Sequence, residues 1–91
     1  MFYPHRHFYV TRNFVGEWCV CEDNSFWSVY FATKYRAQFT RDLMLKWLCN
    51  HDYNRIKAFI NWLERYSYDT SDWPSVRLQL LVIDKAPYMS I

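Results

Sequence analysis

Hydrophobic and polar positions change their period twice along this chain. Between Phe8 and Phe31 the period is two. Phe8–Arg12 reads as a short strand, and Asn13 to Gly16 as a turn, because Asn and Gly tolerate the positive φ that tight turns demand. Glu17–Glu22 (EWCVCE) alternates, with Trp18 and Val20 on one face and Glu17, Cys19 and Cys21 on the other. Asp23-Asn24-Ser25 is a second turn. Phe26–Phe31 is a third strand, with Trp27, Val29 and Phe31 on one face and Phe26, Ser28 and Tyr30 on the other. Short turns between three such strands predict an antiparallel meander over residues 8–31.

From Thr33 the period becomes helical. Thr33 can cap a helix running to Asn50, since its hydroxyl can accept from a first-turn backbone N–H. Ala37, Met44 and Leu48 recur at helical spacing, Thr40 and Arg41 lie between them, and Leu43 and Trp47 widen the stripe. Asn50-His51-Asp52 is a break. Asp52 is placed to cap a second helix from Tyr53 to about Tyr66, striped by Ile56, Phe59, Ile60 and Leu63. Over residues 33–66 this predicts two helices as a hairpin, or one helix continued after a kink.

Ser67 to Ser75 reads as a loop on its Asp69, Ser71, Asp72 and Pro74. At Val76–Ile83 (VRLQLLVI) the period of two returns. Val76, Leu78, Leu80 and Val82 share a face, and Leu81 with Ile83 makes the second half apolar on both sides, as in a strand covered twice. Met1–His7 is a lead-in broken by Pro4, and residues 84–91 form a tail containing Pro87. The predicted fold is α+β in a single domain over residues 1–91. A three-stranded antiparallel meander packs on a helix pair, and a C-terminal strand joins or covers the sheet.

Composition sharpens this picture at one point. Aromatic residues make up 22% of the 91 residues, more than a core of this size needs, so some rings must reach the surface. Exposed rings in number point to a contact surface, for which Tyr9, Phe26, Tyr30, Tyr66, Tyr68 and Trp73 are the candidates. A net charge of +2 is well short of a dedicated nucleic-acid binder. No apolar run is long enough to span a bilayer, and the N-terminal residues lack a signal-peptide pattern. Three cysteines, an odd number, fit free thiols in a reducing compartment, so a cytoplasmic location is expected. The single glycine, Gly16, argues against a glycine-rich phosphate loop.

Phe31-Ala32-Thr33-Lys34-x-x-Ala37, followed by Arg41-Asp42 and preceded by three strands, resembles the AP2-like, integrase-arm type of three-stranded domain over residues 9–50. That resemblance implies a sheet packed on a helix, and DNA binding through the outer face of the sheet. Here the corresponding face is Tyr9, Thr11, Glu17, Cys19, Cys21, Phe26, Ser28 and Tyr30, which carries no base and one acid. Reading a duplex needs cations for phosphates and donors for base edges. Such a face suits a protein partner better, or cover by the C-terminal strand. Arg36, Arg41, Lys46, Arg55 and Lys57 on the helices are the alternative nucleic-acid contacts, against their plainer reading as a solvated face.

Other chemistry finds less support in the sequence. His5-x-His7, Cys19-x-Cys21 and Cys49-x-His51 pair metal-ligating residues, but structural zinc favours wider pairs, so Cys19, Cys21, Cys49 and His51 are minor candidates for a small zinc-stabilised domain. Cys49 and His51 have no third member or oxyanion pocket for a hydrolase. The expected function is therefore non-catalytic binding, without a cofactor, to a host protein or nucleoprotein complex. In style the chain is similar to small phage or mobile-element inhibitors such as anti-CRISPR proteins. An AP2-like DNA-binding module is the alternative.

Overall fold

A computed structural model describes residues 7–23, 28–66 and 70–88. Strands β1 (Phe8–Arg12), β2 (Trp18–Glu22) and β3 (Ser28–Phe31) form one antiparallel sheet in the order β1-β2-β3. Helices α1 (Lys34–Cys49), α2 (Tyr53–Arg65) and α3 (Trp73–Lys85) follow. Expected strand positions Phe26 and Trp27, the lead-in before His7 and the loop residues Ser67 to Asp69 lie outside the described residues.

The register explains the alternation seen in the sequence. Val10, Val20 and Val29 pair across the sheet, as do Arg12, Trp18 and Phe31, and these side chains share the helix-facing side. Thr11, Cys19 and Tyr30 pair on the opposite face, as do Tyr9, Cys21 and Ser28. Hydrogen bonds from Asn13 N to Glu17 O and from Asp23 N to His7 O make the odd-numbered residues of β1 the ones bonded to β2. Strand β2 then uses its even residues toward β3, which turns the backbone groups of Ser28 and Tyr30 to the open edge. Thr70 Oγ1 donates to Tyr30 O, so that edge carbonyl is satisfied.

Helix α1 is the middle of the structure. It packs on all three strands and on both other helices, while α2 and α3 pack on α1 and on each other. Thr33 caps it, with its hydroxyl accepting from Arg36 N at 3.3 Å, and its buried face is Ala37, Thr40, Met44 and Trp47. Thr40 is polar and fully buried, but its hydroxyl donates to Arg36 O at 3.0 Å, so it carries no desolvation penalty. Between α1 and α2 the chain turns at His51, whose φ of 55° lies in the left-handed region. Asp52 then caps α2. Ile56, Phe59 and Leu63 point into the same core as Val20, Val29 and Met44. Each large side chain sealed in this way contributes about 1.5–3 kcal/mol relative to an exposed one.

The C-terminal segment departs from the sequence expectation. Residues 76–83 are helical, not a strand, and they lie within α3. The helix begins inside the expected loop. Asp72 is its N-cap, accepting from Ser75 N, and Pro74 sits in the first turn where its missing N–H is harmless. Trp73, Val76, Leu80 and Ile83 are its buried residues, spaced by three and four, whereas Leu78 and Val82 are exposed. Nor does the segment join the sheet, since α3 packs on α1 and α2. The helical choice follows from what is available: α1 and α2 present a groove that takes one stripe of α3, and Asp72 supplies the start.

The far end of α3 is tied down by charged groups. Asp84 accepts from Lys46 Nζ at 3.0 Å and from the Trp47 indole N–H at 2.9 Å. Arg55 pairs with Asp52 and donates to the carbonyls of Ile83 and Ala86. One guanidinium thus joins the first turn of α2 to the last turn of α3.

Candidate functional site

Among the described residues no helix or further strand lies on the outer face of the sheet. Tyr9 and Tyr30 stand on it, 38% and 42% exposed. His7 stacks on Tyr9, with ring centroids 5.9 Å apart. Ser28 Oγ donates to the Tyr30 hydroxyl at 3.3 Å. Cys19, in the centre and paired with Thr11 and Tyr30, is buried, and its Sγ donates to Glu17 O at 3.7 Å. Burial pushes the Cys19 thiol up from its ordinary value, and the neighbouring Cys21 and Glu17 add to this. Burial also raises Cys21, against an opposing hydrogen bond from Tyr9. Both are therefore thiols, not thiolates, at neutral pH, and ill suited to nucleophilic work. The described part of this face carries neither lysine nor arginine.

At one end of the face the β1–β2 hairpin makes a fixed protrusion. Asn13 organises it. Its Oδ1 accepts from Val15 N at 3.1 Å and Glu17 N at 2.9 Å, and its Nδ2 donates to Glu17 Oε1 at 3.0 Å. Gly16 N donates to Asn13 O, and Arg12 Nε donates to Gly16 O at 3.1 Å. Gly16 takes a φ of 85°, which closes the loop. The product is an ordered turn that holds Phe14 fully out in solvent (108% exposed), with Val15 at 77%. Sequence reasoning passed over both residues, reading 13–16 only as turn chemistry. The signal available was an aromatic and a β-branched residue where turns ordinarily place polar ones.

A cleft of about 450 Å³ joins the protrusion to the sheet face. Val15, Gly16 and Glu17 form one wall, Thr70 and Ser71 the other, and Tyr30, Phe31 and Ala32 lie between. Tyr30 and the hairpin tip thus belong to one continuous surface.

The remaining candidates are scattered. Tyr66 is exposed at the end of α2, its ring tilted against that of Trp62 with centroids 4.9 Å apart. Trp73 is not a surface anchor. It is only 9% exposed, edge-on to Phe31 at 6.0 Å and to Phe39 at 5.7 Å, because it is the first core residue of α3 rather than part of a loop. Phe26 and Tyr68 lie outside the described residues.

The cations of the alternative nucleic-acid set are mostly engaged within the protein. Arg36 lies over the Trp73 ring, Arg41 pairs with Asp42, Lys46 with Asp84, and Arg55 with Asp52; Lys57 is exposed on α2. Two further cations, Arg12 and Lys34, stack on Trp18 at 5.3 and 5.5 Å. None of these projects from the outer face of the sheet. The metal candidates do not converge either. Cys19 and Cys21 are on β2, while Cys49 and His51 are at the end of α1, and among the described residues no three His, Cys, Asp or Glu side chains gather to hold an ion. No described helix is long and apolar enough to cross a membrane. Comparison with family models, with curated proteins and with solved structures finds no match to this chain.

Proposed function

We infer that the chain is a small non-catalytic binding protein that docks on another protein through the outer face of its sheet and the Phe14–Val15 hairpin tip. It would act as an inhibitor or accessory factor by covering a functional surface of that partner. The observation that carries this reading is Phe14. A loop held by six hydrogen bonds around Asn13 and Gly16 presents a fully exposed aromatic ring at one end of the sheet that carries Tyr9 and Tyr30. Ordering such a loop in advance lowers the entropy lost on docking, and rigid aromatic side chains are the usual anchors of protein interfaces.

Duplex binding through the same face, as the AP2-like resemblance implies, needs cations that the described residues of this face do not supply. The test is affinity capture from a lysate of the native host, with and without nuclease. The reading expects one protein to be retained after nuclease treatment and lost with Phe14→Ser or with Tyr9→Ser. Recovery that vanishes on nuclease treatment, or that both variants leave unchanged, defeats it.

A further inference from the structure

We propose that the open edge of β1 is where a second copy of this chain docks, β1 against β1 and antiparallel, so that two three-stranded sheets become one of six strands. The two edges of the sheet are not alike. At the β3 edge, Val29 and Phe31 are buried and Thr70 donates to Tyr30 O. At the β1 edge the side chains open to solvent. Val10, cross-strand from the fully buried Val20, is only half-buried, and Arg12, cross-strand from Trp18, is exposed. Strand β1 pairs with β2 and lies against α1, and no other described element reaches it. Its odd-numbered residues direct their backbone groups to β2. The N–H and C=O of Val10 therefore point out of the sheet, and no described residue bonds to either.

Protein edge strands are commonly blunted by proline, lysine or a bulge. Strand β1, FYVTR, has no proline or lysine, and it pairs with β2 one residue to one. Its single charge, Arg12, comes last and stacks on Trp18 of its own chain. What such an edge accepts is another extended strand. The strand that fits is β1 itself. The antiparallel register that pairs all five of its residues is centred on Val10, which then exchanges N–H···O=C bonds with Val10 of the second copy. In that register Tyr9 falls opposite Thr11, an aromatic against a β-branched side chain, and Arg12 falls opposite Phe8. Val10 meets Val10 on the helix-facing side, which completes the burial that Val20 and Val29 already have. A register centred on Arg12 would set like charges against each other. One centred on Thr11 would run Tyr9 against Asn13, whose side chain is committed to the hairpin turn. Both copies use the same edge, so the pairing is isologous and stops at two. It does not rest on the docking of another protein, and it leaves the outer face of the sheet uncovered.

Sedimentation equilibrium of the full chain from about 10 µM to about 1 mM should show the mass rising from one copy to two. Hydrogen exchange gives a second readout. The Thr11 amide is bonded to β2 within one copy and should exchange slowly at every concentration, whereas the Val10 amide should exchange fast when dilute and slowly when concentrated. Val10→Pro removes an N–H that faces outward, a change an edge strand tolerates. It should weaken association roughly tenfold or more, because one bond is lost from each copy. The proposal is overturned by a mass that stays at one copy, by association that leaves Val10 exchange unchanged, by Val10 protection that does not depend on concentration, or by undiminished association of Val10→Pro. The exchange measurement uses the unaltered chain, so it tests the pairing even where the proline variant fails to fold.

Discussion

Replacing Trp73 by alanine should cost the protein much of its stability. Trp73 is 9% exposed and wedged edge-on between Phe31 of β3 and Phe39 of α1, with Arg36 over its ring at 5.7 Å. It is the one side chain of α3 in ring contact with the sheet layer as well as with α1. Truncating a buried Trp typically costs about 3–5 kcal/mol. The site opens at the start of a helix, where water can partly fill the gap, so a loss of about 3 kcal/mol is the better expectation. A small domain is stable by about 5–15 kcal/mol in total, so the variant should still fold.

Urea unfolding followed by far-UV circular dichroism reads this directly and does not depend on the lost fluorophore. With a slope of about 1.5 kcal/mol/M, the midpoint should fall by roughly 2 M. The melting temperature should fall by roughly 12–24 °C. Phe14→Ala is the matched control, an aromatic truncation at a fully exposed site, and should shift stability by less than about 0.5 kcal/mol. A Trp73→Ala loss below about 1 kcal/mol, or equal losses in the two variants, would refute the placement of α3 against Phe31 and Phe39.

Other expectations follow from the same contacts. Burial raises the Asp84 carboxyl, but hydrogen bonds from Trp47 and Lys46 and the charges of Lys46 and Arg55 outweigh it and hold the group below its reference value of 3.8. A depressed folded-state value means the stabilisation is complete above the unfolded value and is lost as pH falls through the folded one. Urea midpoints measured from neutral pH downward should therefore decline more steeply in the native chain than in Asp84→Asn, and parallel curves would remove Asp84 from the acid response. Gly16→Ala should destabilise by about 1–2 kcal/mol, chiefly because a side chain at φ 85° is strained; its Cβ would meet only the movable end of Arg12, at 3.2 Å. Thermal melting of that variant checks this, and an unchanged midpoint counts against the turn geometry. With a thiol-reactive dye at neutral pH, exposed Cys49 should label first, half-buried Cys21 slowly, and Cys19 only on unfolding. Fast labelling in Cys49→Ser would contradict the burial of the other two.

The parts of the fold that sequence made legible are those with a local cause. Thr33 and Asp52 start their helices by accepting from the first-turn amides, and those signals need no knowledge of the rest of the chain. The alternation of EWCVCE is equally local, because the pleat alone sorts Val20 from Cys19 and Cys21. VRLQLLVI was different. Its apolar residues satisfy a spacing of two through Val76, Leu78, Leu80 and Val82, and a helical spacing through Val76, Leu80 and Ile83. Packing against α1 and α2 chose between them. The local clue was Asp72 with Pro74 two residues later, a helix-start pattern that also reads as loop composition. For the contact surface, parity along the strands placed Tyr9 and Tyr30 on the outer face, whereas Phe14 and Val15 left only the weaker signal of apolar residues in a turn. Trp73 was misjudged because its burial depends on Phe31 and Phe39, more than thirty residues distant in sequence.

The reach of Arg55 has a consequence for how this molecule opens. Its guanidinium satisfies the carboxylate that caps α2 and two carbonyls at the end of α3, all within a largely dry pocket. If α3 frayed from its C-terminal end alone, it would disrupt a buried ion-pair site and strip the Ile83 and Ala86 carbonyls of their guanidinium donor. That intermediate is expensive, so the first turn of α2 and the last turn of α3 should be lost together. In native-state hydrogen exchange the protected amides of these two segments, some thirty residues apart, should report one shared opening event, and Arg55→Met should split it into two.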